Sequence, residues 1–155
     1  MTDLRLAYNP EIQKADLSFD GIGIETDDGL ETACIISLFT DRRARTDDVV
    51  PGDQNDRRGH WGDALADEPG DRIGSRLWLL SREKQLQSVV VRAKEYAIEA
   101  LQWVIDDGIA TQIDVYAEIS APGVLGLLVT IYRPQKSEVD YRYQYAWEQQ
   151  ALRAA

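Results

Sequence analysis

The sequence predicts an α+β fold, because helical periodicity in its middle gives way to strict apolar alternation in its last third. Short alternating runs also open the chain. The predicted architecture is an N-terminal β-hairpin, two to three helices including one long core helix, and a C-terminal three-stranded antiparallel meander. A chain of 155 residues has the length of about one domain, so residues 1–155 are expected to fold as a single domain.

The first 25 residues predict short strands joined by turns. Apolar and polar residues alternate on both sides of breaks at Asn9-Pro10 and at Gly21. The alternating apolar positions are Leu4, Leu6, Tyr8, Leu17, Phe19, Ile22 and Ile24. This pattern predicts a hairpin-like entry to the fold.

A first helix is predicted from about residue 28. Asp28 is placed to act as the N-cap and Glu31 stands three residues later, as in a capping box. One helical face carries Leu30, Ala33, Cys34, Ser37 and Leu38. The helix is expected to end near Arg43. Cys34, the single cysteine, predicts a buried apolar residue and a chain that matures in a reducing cytoplasm.

The clearest helix is predicted over residues 88–107. Its apolar stripe, at a period of 3.6 residues, consists of Val89, Ala93, Tyr96, Ala97, Ala100, Leu101, Val104 and Ile105. Gly108 follows and is expected to end the helix in the left-handed conformation.

Three alternating runs then predict the meander, with turns at Pro122-Gly123 and Arg133-Pro134. The last run carries Tyr141, Tyr143 and Tyr145 on one face. As the final strand it is expected at a sheet edge, where a strand of another chain could add. Two interpretations stay open: these tyrosines contact a partner, or they cover the protein's own core.

Residues 41–76, the arginine-rich loop, differ from the rest in composition. They hold nine acidic residues, seven arginines and no lysine. So long and polar a connection is either functional or partly disordered. Residues 46–56 are expected to be mobile, whereas Trp61 and Leu65 are expected to anchor residues 57–65. Arginine pairs with carboxylates and stacks on indoles, so the loop predicts locking onto its own body or onto a neighbouring subunit, with a solvated loop as the alternative.

Charge and composition exclude several classes of protein. The net charge of −10 disfavours nucleic acid and anionic membranes as partners. No apolar run approaches the roughly 20 residues of a membrane span, and the first residues lack the pattern of a secretion signal.

The segment "DRRGHWGD" at residues 56–63 holds the only histidine, His60. One imidazole is too few for a typical zinc site, and neither a nucleophile elbow nor a phosphate-binding loop is present in the sequence. Paired carboxylates are uninformative among 27 acidic residues. We therefore predict no catalytic residue, no metal, no cofactor and no enzyme activity.

Five blocks occur in order along the chain, and together they resemble one known family over roughly residues 16–147. They are "TDDGLETACIISLFTDRRA", "DRRGHWGDAL", "IGSRLWLLSREK", "AKEYAIEALQWVIDDGIA" and "GVLGLLVTIYRP". The family is that of Mu-like bacteriophage tail baseplate wedge proteins, also called the Mu gene-forty-six protein family. It is distantly similar to the small lysozyme-like wedge protein of contractile tails.

The resemblance implies a structural role in the virion, at the tail baseplate, after assembly in the host cytoplasm. The implied partners are larger baseplate wedge subunits, tail tube or hub proteins, and the sheath protein. The wider family often has Glu-Pro-Arg where this chain has Ser81-Arg82-Glu83, and it favours tryptophan at His60. The matching docking positions are Arg42, Arg43, residues 58–63 and residues 77–83.

From the residues and the resemblance together, we expect "DRRGHWGD" to be a structural and docking loop. The residues expected to bind partners are Arg42, Arg43, Arg57, Arg58, Trp61, Asp63, Leu77, Trp78, Tyr141, Tyr143 and Tyr145. Two alternatives are a peptidoglycan-hydrolysing tail protein and an acidic interaction module unrelated to tails.

Overall fold

The computed structural model describes residues 3–9, 14–17, 26–27, 29–53, 55–84 and 86–146. Within them the strands are β1 (Asp3–Leu4), β2 (Leu6–Asn9), β3 (Lys14–Leu17), β4 (Thr26–Asp27), β5 (Gln112–Ala121), β6 (Val124–Tyr132) and β7 (Val139–Ala146). The α-helices are α1 (Leu30–Phe39) and α2 (Gln87–Asp106), and two 3-10 helices, Trp61–Leu65 and Leu77–Leu80, lie between them. The predicted α+β fold is confirmed.

The N-terminal hairpin consists of β2 and β3, which pair antiparallel from Leu6 opposite Leu17 to Asn9 opposite Lys14. Strand β1 pairs with β4 instead. The predicted turn at Gly21, with its flanking apolar residues Phe19, Ile22 and Ile24, lies outside the described residues.

Helix α1 begins and ends at other residues than the sequence predicted. Its N-cap is Gly29, in the left-handed conformation and without a side-chain cap, and Asp28 lies outside the described residues. Glu31, expected in a capping box, forms an ion pair with Arg5 at 3.0 Å. The helix ends at Phe39 and not near Arg43, because the following backbone pairs with a distant segment.

That segment is Gly74-Ser75. The Ser75 N–H donates to Thr40 O, and the Arg42 N–H donates to Ser75 O, both at 2.9 Å. A Cβ on Gly74 would lie 2.3 Å from Thr40 O, so only glycine permits this approach. These tertiary hydrogen bonds satisfy the backbone that another helical turn would have satisfied.

Helix α2 confirms the long core helix to within one residue at each end. Its buried positions are Val89, Val90, Ala93, Ala97, Ala100, Leu101 and Val104. Gly108 follows with φ +71°, as predicted, and Ile109 and Ala110 both donate backbone hydrogen bonds to Val104 O.

The meander is confirmed, with strand order β5-β6-β7 and antiparallel pairing throughout. Buried and half-buried residues alternate along β6, so that Leu125, Leu127, Val129 and Ile131 face the helices. The main core joins this sheet face to α1, α2 and Leu77 and Leu80 of the second 3-10 helix.

A second, smaller cluster lies beneath the arginine-rich loop. Val50 packs there with Ala44, Trp78 and Leu79, and Val50 is only 2% exposed. The expectation of a mobile segment at residues 46–56 is therefore wrong for its middle, because Val50 is an anchor that the charges around it concealed. Trp61 and Leu65 are the reverse case: they are 75% and 73% exposed and do not anchor the loop.

Candidate interaction site

Arg76 is the centre of a charge network that fastens the arginine-rich loop to α2. Its guanidinium donates to Glu99 Oε2 at 2.6 Å through Nη2 and to Asp48 Oδ1 at 2.8 Å through Nη1. It also lies 4.4 Å from the centre of the Tyr96 ring. Burial alone would lower the pKa of Arg76, but the hydrogen bonds to Glu99 and Asp48 outweigh it, and the pKa lies above its ordinary value.

Glu99 is the helix residue that this network shares. Its Oε1 accepts a hydrogen bond from Arg45 Nη2 at 2.8 Å and lies 3.8 Å from Arg42 Nη1. Three arginines of one loop therefore surround one carboxylate of α2. Such a network holds a loop more firmly than separate exposed ion pairs would, because its members restrict one another.

A second set of contacts that holds the loop involves Trp78, which is buried beneath it. The Arg58 guanidinium lies 4.4 Å from the Trp78 ring centre and forms an ion pair with Asp41 at 2.7 Å. The Trp78 indole N–H donates to Arg42 O at 2.8 Å. The predicted pairing of arginine with carboxylate and indole thus occurs, and it occurs within this chain.

Two further arginines of the loop bind backbone carbonyls. Arg57 donates to Arg45 O and to Thr46 O. Arg43 is exposed and donates to Arg58 O at 3.3 Å. These contacts fix the turn that leads to Trp61.

His60 has a structural role in this turn. Its Nδ1 accepts a hydrogen bond from the Gly62 N–H at 3.1 Å and so caps the first 3-10 helix. Asp63 Oδ1 accepts from the Ile73 N–H at 3.0 Å and ties the same helix to the end of the loop. The Trp61 side chain, between these two fixed residues, points into solvent. The result is a supported segment with an exposed indole.

The predicted partner-binding residues differ in burial: Arg42, Arg57, Arg58 and Asp63 are half-buried, and the Tyr145 side chain lies outside the described part of the chain. Leu77, Trp78 and Tyr143 are buried in the protein's own core, where apolar packing uses them, so they do not form a surface in this conformation. Tyr141 is half-buried against the same core, which fits the core interpretation of the tyrosine face. Arg43 and Trp61 are exposed. The binding role of all these residues stays a prediction.

Sequence reasoning missed four members of the charge network, namely Arg45, Asp48, Arg76 and Glu99. The excess of arginine over lysine in residues 41–76 was the one available signal. It indicated that the loop forms ion pairs, but not which carboxylates it binds. Glu99 lies 23 residues after Arg76 and 54 after Arg45. Nothing in the sequence distinguishes it from Glu95 and Asp106, the exposed carboxylates of α2.

Reactive groups are few in the described part of the chain. No cluster of three potential metal ligands occurs there. Desolvation raises the pKa of the Cys34 thiol from 9.0 to about 12, and the nearby charge of Glu31 adds to the effect. No described helix is both long and apolar enough to cross a membrane.

Comparison with known proteins matches residues 30–138 to the family described as phage protein GP46. The chain is 44% identical over 147 residues to the baseplate protein gp46 of Escherichia phage Mu, covering 95% of this chain and 98% of that protein. It is 38% identical over 147 residues to the Mu-like prophage FluMu protein gp46 of Haemophilus influenzae, with the same coverage. The resemblance carried by the five sequence blocks is confirmed. The chain belongs to the GP46 family of phage proteins.

Proposed function

We propose that this chain is a non-catalytic structural component of a phage tail baseplate. The proposal is supported by the 44% identity to a baseplate protein over nearly the whole chain. In this role the protein resides in the virion after assembly in the host cytoplasm. Its partners are a larger baseplate wedge subunit, tail tube or hub proteins, and the sheath protein.

The docking surface for the larger wedge subunit is the first 3-10 helix. Trp61 and Leu65 are 75% and 73% exposed there. They stand on a turn that His60, Asp63 and the arginine network hold in place. An exposed indole on a prearranged backbone is the typical anchor of a protein interface, because little conformational freedom is lost on binding. This exposed tryptophan is the observation that supports docking through the first 3-10 helix.

Substitution of Trp61 tests the docking surface. Trp61→Ala should weaken the complex with the larger wedge subunit by roughly 30-fold, or about 2 kcal/mol, with unchanged stability of the free chain. Val49→Ala is the matched control, since Val49 is 82% exposed and also lies in the arginine-rich loop. The affinities are measured by calorimetry with the co-purified subunit. Equal affinities of the two variants would show that Trp61 is not part of the interface.

The second docking surface is the outer edge of β7, which pairs only with β6 among the described strands and fits an added strand from a sheath subunit. Thr111 N–H donates to Tyr132 O, so the Tyr132 backbone faces β5. Alternation along β6 makes Leu128 face β5 as well. Arg142 pairs with Leu128, so the Arg142 N–H and C=O point away from β6 and toward the edge.

Two proline substitutions distinguish loss of strand addition at the β7 edge from loss of the sheet itself. Arg142→Pro removes an N–H that points outward, which an edge strand tolerates, and should abolish incorporation of sheath while the domain stays folded. Tyr143→Pro is the contrasting variant: it removes an N–H that faces β6 and disturbs a buried ring, so it should destabilise the domain. Normal contractile tails with Arg142→Pro would exclude strand addition at this edge.

The peptidoglycan hydrolase alternative makes a different prediction. A hydrolase would clear peptidoglycan in a zymogram, and the clearing would disappear on substitution of one carboxylate. We expect no clearing by the purified protein. Clearing of that kind would overturn the non-catalytic proposal.

A further inference from the structure

A groove with a volume of about 790 Å³ lies between α1, the C-terminal half of α2 and residues 68–74. It is distinct from the exposed face of the first 3-10 helix and from the β7 edge. The groove is large enough to receive several side chains of a bound segment.

The groove offers an apolar contact surface. Ile36 of α1 and Ile73 of the arginine-rich loop line it, and they are 42% and 39% exposed. Trp103 of α2 lines it as well, with its indole N–H donating to Ser37 Oγ at 2.9 Å. The indole is therefore held in position, and the three apolar side chains form a prearranged receptor for an apolar anchor.

The charge around these apolar residues is strongly negative. Exposed Glu68 and Asp71 lie on one side, and exposed Asp106 and Asp107 lie on the other. The lining residue Glu99 is already paired with arginines of the loop. Of the two basic lining residues, Arg42 lies 3.8 Å from Glu99, which leaves Arg72 against four carboxylates. Such a rim attracts cationic side chains and repels acidic ones.

We propose that this groove binds a basic amphipathic segment of another protein subunit. Apolar side chains of the segment contact Ile36, Ile73 and Trp103. Its lysines or arginines lie against the carboxylates of residues 68–71 and 106–107. The inference does not depend on docking through Trp61 or through the β7 edge, because it concerns a separate surface with its own apolar centre and charged rim.

A peptide pair tests the chemistry of the groove. The probe is a helical peptide of about 18 residues built from leucine and lysine, compared with the same peptide carrying glutamate in place of lysine. The lysine peptide should bind and shift the NMR signal of the Trp103 indole N–H, whereas the glutamate peptide should not. Equal binding of both peptides, or shifts confined to other faces, would overturn the proposal.

Charge reversal provides the matched control. Asp106→Lys/Asp107→Lys should weaken binding of the lysine peptide by about tenfold. Glu95→Lys/Glu118→Lys makes the same change in net charge at exposed positions outside the groove and should alter binding less than about twofold. Equal losses for the two variants would mean that only the net charge of −10 attracts the peptide.

Crosslinking in assembled tails identifies the occupant. A benzoylphenylalanine in place of Gln102, on the groove wall, should crosslink to a basic amphipathic segment of another subunit. The same group in place of Lys94, on a different face of α2, should not capture that segment. Capture of a second copy of this chain, of its own residues 147–155, or of an acidic segment would overturn the assignment.

Discussion

Arg76 and Glu99 join the arginine-rich loop to the middle of α2 through an ion pair with an Nη2–Oε2 distance of 2.6 Å. The Arg76 side chain is only 9% exposed and has one further carboxylate partner, Asp48. Loss of Glu99 would therefore leave a buried guanidinium with one carboxylate partner instead of two. The Arg76–Glu99 ion pair is thus one of the contacts that fix the arginine-rich loop against α2.

Glu99→Gln tests this dependence. We expect the free energy of unfolding to fall by about 2 kcal/mol, because a charged partner of a buried guanidinium is lost. Hydrogen exchange should accelerate across residues 41–58. Glu95→Gln, one turn earlier on an exposed face of α2, should change the stability by less than about 0.5 kcal/mol. Equal urea midpoints for the two variants would show that the network contributes little.

Gly74 allows a different prediction, about backbone approach. Gly74→Ala should lower the free energy of unfolding by about 3 kcal/mol or more, because its Cβ would lie 2.3 Å from Thr40 O. Gly70→Ala is the control: Gly70 has a similar φ of +92°, yet no described atom lies within 4 Å of the added Cβ. Backbone strain alone should then cost about 1 kcal/mol. Similar thermal denaturation of the two variants would contradict a close approach at Gly74.

The two helices show which parts of the fold could be predicted from the sequence and which could not. The limits of α2 follow from its own apolar period, so a local pattern was sufficient. The end of α1 depends on backbone hydrogen bonds between Thr40 and Ser75, and no local pattern contains that pairing. Helical periodicity continued the helix toward Arg43, whereas tertiary contacts ended it at Phe39.

The candidate site was predictable in its location and not in its contacts. Composition marked residues 41–76 as unusual, and arginine chemistry predicted pairing with carboxylates and indoles. Hydrophobicity alone then predicted that Trp61 anchors the loop and overlooked Val50, because burial depends on which side of the loop faces α2. Glu99 pairs with arginines on that side of the loop, and it is one of 27 acidic residues in the sequence.

Tyr143 carries a buried hydroxyl for which no described residue supplies a hydrogen-bond partner. Tyr143→Phe should raise the free energy of unfolding by about 1 kcal/mol, because it removes a desolvated polar group and keeps the ring. The edge-to-face contact with Phe39, at 5.5 Å between ring centres, should persist. Tyr116→Phe, at an exposed position, should leave stability unchanged in the same urea titration. A loss of stability in Tyr143→Phe would indicate a partner for the hydroxyl.

The buried thiol of Cys34 predicts a stability that declines in alkali. Its pKa is raised from 9.0 to about 12 by burial, so above pH 9 the unfolded chain releases a proton that the folded chain retains. Stability is therefore unaffected below pH 9 and falls between pH 9 and pH 12, by about 2 kcal/mol at pH 10.5.

The measurement requires a background without the Tyr143 hydroxyl, whose pKa burial also raises. In the Tyr143→Phe background, the free energy of unfolding should fall between pH 8 and pH 10.5, and Cys34→Ala should reduce that fall by about 2 kcal/mol. The comparison concerns the pH dependence and not the absolute stability, since Cys34→Ala also leaves a small cavity. An unchanged pH dependence after Cys34→Ala would mean that the thiol titrates alike in the folded and unfolded chains.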